Sequence, residues 1–526
     1  MVRWNSGSAA TVSPLTDRRR LLVGLAAPGA VVPRRARASI DPFTLGVASG
    51  APSPDGFVLW TRLAPDPLAP DGRGGLSSPV RTRFEVAADD GFRRIVRQGE
   101  VWATPQDGHA IHLEVGGLPP DRPYWYRFEA LGHASPVGRA RTAPDVAADN
   151  TRLRFVVASC AHWESGWFSA YRHMAAEAAD LVLFLGDYIY EYSHRPERQG
   201  LVRRHDRQGD AVTLADYRNR YALYRTDPDL QALHAAAPCL VTWDDHEVQN
   251  DYANRWSQDA STPTAEFLRR RAAAYRAFYE HMPLRPWARP RGPDMRLHGR
   301  TRFGRLAEFT VLDGRQHRSP QPCQTAASRR GRVTLCDEME DPRRSMLGPR
   351  QERWLEERFR RADARWNVVA QDLVVARLEQ TAADGRVGHY TDGWDGYQAN
   401  RTRMLGALAD ARTPNPVFLA GDIHSFWAND LKSDFRDPRS PTVAAEFVTT
   451  SITADNPGRG LADAEARNPH VRFLDLRSHG YLVGDLGPQR LDVAYRKVSD
   501  RRDPNATVST LRRFAVETGR PGVMPA

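Results

Sequence analysis

Lysine is nearly absent from this 526-residue chain: Lys432 and Lys497 are the only two. Phosphate binding or Schiff-base chemistry built on a lysine therefore has little to draw on, and neither GxxxxGKS/T nor GxSxG occurs. Past residue 38 no apolar run is long enough to span a bilayer. Internal repeats and low-complexity tracts are missing too. Cysteine is scarce, with Cys160, Cys239, Cys323 and Cys336. Cys323 and Cys336 bracket the polar, arginine-rich QTAASRRGRVTL, which needs a staple, so this pair is the expected disulfide if the compartment is oxidising. Cys239 opens an apolar strand and reads as a core residue, whereas Cys160 ends one, where a thiolate can reach a cation.

The formal charge of +10 suggests a polyanion partner, but residues 1–38 carry seven arginines against Asp17 and supply +6 of it. The remaining +4 gives no reason to expect a nucleic-acid-binding module. TDRRRLLVGLAAPGAVV, followed by Ala36-Arg37-Ala38, resembles a twin-arginine signal peptide. The expectation is export in folded form through the twin-arginine machinery to a secreted, periplasmic or cell-wall location. No stable membrane span is expected in the mature protein.

What the chain does have is one construction repeated. LVLFLGDYIYEY is an apolar strand closing on a glycine, then Asp187 and Tyr190 three residues apart. RFVVASC closes on Cys160, CLVTWDDHE on Asp244, Asp245 and His246, and PVFLAGDIH on Asp422 and His424. Ligands of open α/β sheets sit beyond the carboxyl ends of strands, so these ends are expected to share one site. A lone Gly-Asp is only a turn former. The ordered set of four strand ends carries the inference.

Residues 43–145 hold seven short, partly alternating runs with turn residues between them, the pattern of an all-β immunoglobulin- or fibronectin type III-like domain. From 151 to 526 strands alternate with helical stretches, expected to give two mixed sheets flanked by helices. The arginines Arg269 to Arg271 read as a solvated helix face, and His194, His205 and His281 as exposed.

Thiolate, phenolate and imidazole from Cys160, Tyr190 and His424 suit ferric iron or a similar transition metal, while Asp245 and Asp422 lean toward calcium or magnesium. Asp187 can bridge the two. His246, next to Asp245, is placed to hydrogen-bond substrate or protonate a leaving oxygen.

Ser159-Cys160, HMAAE (173–177), GDYIYE (186–191), WDDHEVQNDYA (243–253), DGWDGY (392–397), GDIH (421–424) and EFVTTSIT (446–453) together resemble the PhoD-like alkaline phosphatases. The resemblance implies a metallophosphatase sandwich related to the purple acid phosphatases, one ferric ion with calcium, and hydrolysis of phosphate diesters and monoesters by a metal-bound hydroxide. Carried over, Cys160, Asp187, Tyr190 and His424 fall in the iron shell. Asp187, Asp245 and Asp422 fall on calcium, and His246 faces the phosphate. Asp187 and His246 are thus the expected catalytic pair. The chain departs from the family at Ala161-His162, where glutamine commonly follows the cysteine, and at Gln371-Asp372, where two amides are usual. Roles for His162, Asp244, Asn250 and Gln371 stay open. Two alternatives also stand: a phospholipase D-type lipid diesterase, and an exported cell-wall-binding protein with a structural metal site.

Overall fold

The computed structural model describes residues 40–526 except 196, 327, 383, 438, 457 and 458, so the expected signal peptide over 1–38 lies outside the described residues. The apolar runs become strands β1 (Leu153–Ala158), β2 (Leu181–Leu185) and β3 (Cys239–Thr242), parallel and adjacent, with Val156 opposite Val182 and Val182 opposite Cys239. Parallel neighbours need long crossovers. Helix α1 (Ser169–Ala176) supplies the first, and α2 (Leu214–Arg225) with α3 (Pro228–Ala236) the second. The stretch TLADYRNRYALYRTDPDLQALHAAA reads as one helix but forms these two. Pro228 has no N–H to continue α2, and the Asp227 carboxylate caps α3 by accepting from the amides of Asp229 and Leu230.

A second sheet is built on β4 (Ala307–Val311), β5 (Trp366–Ala370), β6 (Pro416–Ala420) and β7 (Thr442–Val448), parallel in that order. Alternation decides what each residue meets. Phe155, Val157, Leu181, Leu183 and Leu185 of the first sheet interleave with Phe309, Val368, Val417, Leu419 and Phe447 of the second. Val156, Ala158, Val182 and Phe184 face the other way, onto Tyr171, Met174, Tyr221 and Phe278 of the helical layer that includes α4 (Thr264–His281). Val369, Phe418 and Ala420 pack with Leu355 and Leu405 of the helices Gly348–Arg360 and Gln398–Asp410. Strands covered on both faces need apolar side chains at nearly every position, which is why these segments read as continuous runs. Each such side chain is worth about 1.5–3 kcal/mol of transfer free energy.

Further strands widen the first sheet on both sides. Gly480–Leu486 joins β1 and continues through Arg490–Val498, Val508–Glu517 and Arg520–Pro525. Beyond β3 come Val47–Ser53, Gly56–Arg62 and Ala110–Val115, reached by pairing of Gly50 with Cys239. The last two also close, through Phe57, Leu59, Ile111 and Leu113, on a five-stranded sheet that contributes Val86, Tyr124, Tyr126 and Phe128. Tyr124 and Tyr126 are buried there as core residues.

The solvated-face expectation fails at Arg271, which is buried and donates to the Pro293 and Asn254 carbonyls and to Asp294. His205 and His281 are likewise buried, the latter between the Ala277 carbonyl and the Arg62 guanidinium. His194 is half-buried. Cys323 and Cys336 are joined as expected, their Cα atoms 6.0 Å apart, and Cys160 and Cys239 are free and buried.

Candidate metal centre

All seven anticipated site residues lie at or just beyond the carboxyl ends of parallel strands from both sheets. Cys160 (φ 60°), Asp187 (φ 51°), Asp422 (φ 65°) and His424 (φ 54°) adopt the left-handed conformation that non-glycine residues avoid. Such strain persists where the surroundings enforce it, and it turns these side chains out of their strands. Gly186 (φ 90°) permits the turn before Asp187, since a Cβ there would collide with that of Asp244. Glu247 stitches the turns together, its carboxylate accepting from the amides of Asp187 (3.1 Å), Tyr188 (2.7 Å) and Asp244 (2.8 Å).

Cys160, Asp187 and His424 place one ligand atom each within 4.8 Å of one another. The Tyr190 hydroxyl joins them, donating to Asp187 Oδ2 at 2.9 Å and lying 3.1 Å from His424 Nε2. His424 Nδ1 donates to the Asp455 carbonyl at 2.6 Å, which leaves Nε2 as the free lone pair aimed at the cluster. Burial lowers the His424 pKa to about 4, so the ring is neutral and able to ligate. Burial, then the Asp187 charge, pushes the Cys160 thiol and the Tyr190 phenol well up. Without a cation they keep their protons.

A second group comprises Asp187, Asp245 and His246, again within 4.8 Å. Asp187, Asp372 and Asp422 are pushed well up by burial and by neighbouring carboxylates, and Asp244 is also raised. Asp245 differs: burial opposes its charge, yet Arg315 and His246 hold it at about 2. His246 Nδ1 bonds Glu191 Oε2 at 2.6 Å, and Nε2 lies 4.0 Å from Asp245 Oδ1. Burial disfavours the imidazolium, but Glu191, Asp245 and Asp187 together hold its pKa well above the ordinary histidine value. Asp187, Asp245, His246, Asn250, Asp422 and His424 line a cleft of about 280 Å³. A larger cavity of about 890 Å³ lies between the N-terminal strands and the segment around Arg285 and Arg300, where those guanidiniums are committed to Glu114 and Glu308.

The sequence reading missed several partners. Arg315, fully buried, pairs with Asp244, with Asp392 at 2.6 Å, and at 3.7–3.8 Å with Asp245, Asp372 and Asp422. Arg318 holds the other oxygen of Asp392 at 2.6 Å. Asp245, Asp251 and Asp392 form a further cluster within 4.8 Å. Glu191, four residues after Asp187, orients His246 and also accepts from the Asn250 amide at 2.8 Å. A signal for Arg315 was present: RLAEFTVLDGRQ is another apolar strand ending in charged residues.

Of the residues left open, Asp244 lies inside the acidic group, and Asn250 lines the cleft with its side-chain amide on Gln258. Gln371 is occupied by the Leu373 carbonyl and the Trp394 indole. His162 is absent from these clusters, its ring standing edge-on to Tyr190 at 4.7 Å.

The donor set fits cations. Asp244 Oδ2 and both Asp372 oxygens are buried without a hydrogen-bond partner, and the carboxylates here outnumber Arg315 and Arg318. Buried anions in such excess are costly unless cations or protons offset them. Strand ends of two packed sheets here converge on thiol, imidazole and carboxylate groups, a donor set of the kind metalloenzymes use. The chain belongs to the PhoD-like phosphatase family, whose model matches residues 155–495, with its N-terminal domain matching 29–144. It is 43% identical over 489 residues to alkaline phosphatase D of Bacillus subtilis strain 168, covering 92% of this chain and 82% of that protein. A solved structure of PhoD, 41% identical, matches with a TM-score of 0.87 over 95% of this chain and 93% of that one. This chain is accordingly an enzyme that hydrolyses phosphate esters, and the cell-wall-binding reading is set aside.

Proposed function

We propose an exported phosphodiesterase with phosphomonoesterase activity, using ferric iron and calcium. Cys160, Asp187, Tyr190 and His424 would hold the iron, with Asp187, Asp245 and Asp422 holding calcium. The observation that carries this assignment is the convergence of the Cys160 thiol, the Asp187 carboxylate and the neutral His424 imidazole within 4.8 Å, with the Tyr190 phenol bonded to Asp187. Bound there, the cations supply acidification of a water and a clamp on phosphoryl oxygens. His246, kept protonated by Glu191 and Asp245, hydrogen-bonds a phosphoryl oxygen and delivers its proton to the leaving oxygen.

The remaining expectations become part of the proposal. Residues 1–38 act as a twin-arginine signal peptide, 43–145 as an immunoglobulin- or fibronectin type III-like scaffold, and 151–526 as the catalytic domain. The scaffold assignment is supported by the sheet-on-sheet core around Tyr124 and Phe128. Asp187→Asn is the direct test: iron and calcium content should fall and turnover of an aryl phosphodiester should be abolished, while the melting curve stays cooperative. A fully active Asp187→Asn variant would refute the bridging role.

A second reading, a diesterase for lipid headgroups, is favoured by the apolar Val374, Ala376, Leu378, Ile423 and Leu461 among the residues lining the cleft. Among the described residues no helix is long and apolar enough to cross a membrane. Faster turnover of a micellar lipid diester than of its short-chain soluble analogue would support that reading, and equal rates would remove it.

A further inference from the structure

Beside the catalytic cleft lies another group of histidine and glutamate side chains, to which the phosphoesterase assignment gives no role. It is built from the point at which this chain departs from the family pattern, Ala161-His162. Ligand atoms of His162, Glu164 and His194 lie within 4.8 Å of one another. The His162 side chain is 1% exposed; Nδ1 bonds Ser165 Oγ at 2.8 Å, and Nε2 is buried with no hydrogen-bond partner. A buried ring nitrogen left unpaired is costly. The His194 ring stands 4.8 Å from that of His162 and is half-buried, leaving a path from solvent. Glu164 is completely buried, and its carboxylate accepts from the amides of His194 (2.6 Å) and His205 (3.3 Å). A second partnerless nitrogen, His205 Nδ1, lies 3.6 Å from Glu164 Oε2.

We propose that His162, Glu164 and His194 form a binding site for a divalent transition metal of the zinc type, separate from the catalytic centre. Two imidazoles and one carboxylate suit zinc, and three protein ligands leave a fourth position for water. His205 stands behind the carboxylate and supports it, as partners of metal ligands commonly do. Of the neighbouring guanidiniums, Arg203 pairs with Asp227 at 2.8 Å and covers the Trp163 ring, while Arg198 pairs with Asp455 and also lies 3.4 Å from His194 Nδ1. The segment between β2 and α2 carries His194 and His205, so a cation here would clamp it onto the short 3-10 turn Trp163–Ser165. The clamp would also buttress Tyr190, which lies against His162 at 4.7 Å and His246 at 4.2 Å.

The test uses the full mature enzyme carrying its catalytic metals, dialysed against Zn2+ and then counted for zinc and iron by mass spectrometry. Wild type should retain about one more zinc per chain than His162→Gln or His194→Ala, with equal iron in wild type and His194→Ala. Because His194 is half-buried, His194→Ala is the variant that keeps the test decisive if His162→Gln fails to fold. In a parallel measurement Co2+ should give a ligand-field absorption band in wild type that His194→Ala lacks. Equal zinc in wild type and His194→Ala, or a cobalt band unchanged by that substitution, would overturn the proposal.

Discussion

The Glu191–His246 pair controls the protonation of the only imidazolium facing the cleft among the described residues. Because the folded site stabilises the charged ring, the proton is present below its raised pKa and lost as pH rises through it. Glu191→Gln removes the nearest opposing charge, so that pKa falls. The alkaline limb of kcat/KM should then move to lower pH, and a limb that stays in place would mean another group sets it. Tyr190→Phe tests the neighbouring cluster: any ferric–phenolate colour should vanish with no change in fold, and persistent colour would assign it elsewhere. Cys160, Asp187, Asp245, Asp422 and His424 were legible in the sequence because each follows an apolar run that physics confines to a buried strand. Glu191 and Asp392 were not, and Arg315 was legible only as one more charge behind an apolar run. Their roles depend on contacts with residues 55–77 positions away, which no local pattern reports.

At the scale of elements, helix α4 ends on His281, held neutral by burial and by the Arg62 charge, while His234 on α3 is kept neutral by burial and Arg225. In the unfolded chain both would take up protons near pH 6.5. Unfolding therefore becomes easier as pH falls below that value, by up to about 1.4 kcal/mol per pH unit for each group. Denaturant midpoints should drop between pH 7 and pH 5, and His234→Gln should shallow that slope; an unchanged slope would contradict the linkage. The Cys323–Cys336 bridge closes a segment whose Gly331 amide donates to Asp251 beside the acidic cluster. Replacing both cysteines by serine should cost about 3 kcal/mol by loop entropy. Thermal unfolding measures it, and an unchanged melting temperature would mean the segment is ordered without the bridge. Sequence periodicity gave away the helical stretches around α1 to α4 but not the helices Gly348–Arg360 and Gln398–Asp410, nor the break at Asp227-Pro228, where capping overrode an otherwise helical pattern.

For the molecule as a whole, two sheets bury one apolar layer and bring the segments after β2, β3, β5 and β6 to a single cleft. That layering was legible, since continuous apolar strands need cover on both faces. The lateral order was not: Gly50 beside Cys239 is a long-range pairing that only packing selects. The buried carboxylates outnumber the guanidiniums beside them, an excess that cations or protons must offset.

The most direct test is hydrolysis of an aryl phosphodiester by the mature protein with calcium present, after chelation, and after calcium is restored. The account predicts turnover that disappears on chelation and returns with calcium. Turnover that survives complete chelation, in protein shown to have lost its calcium, would contradict it.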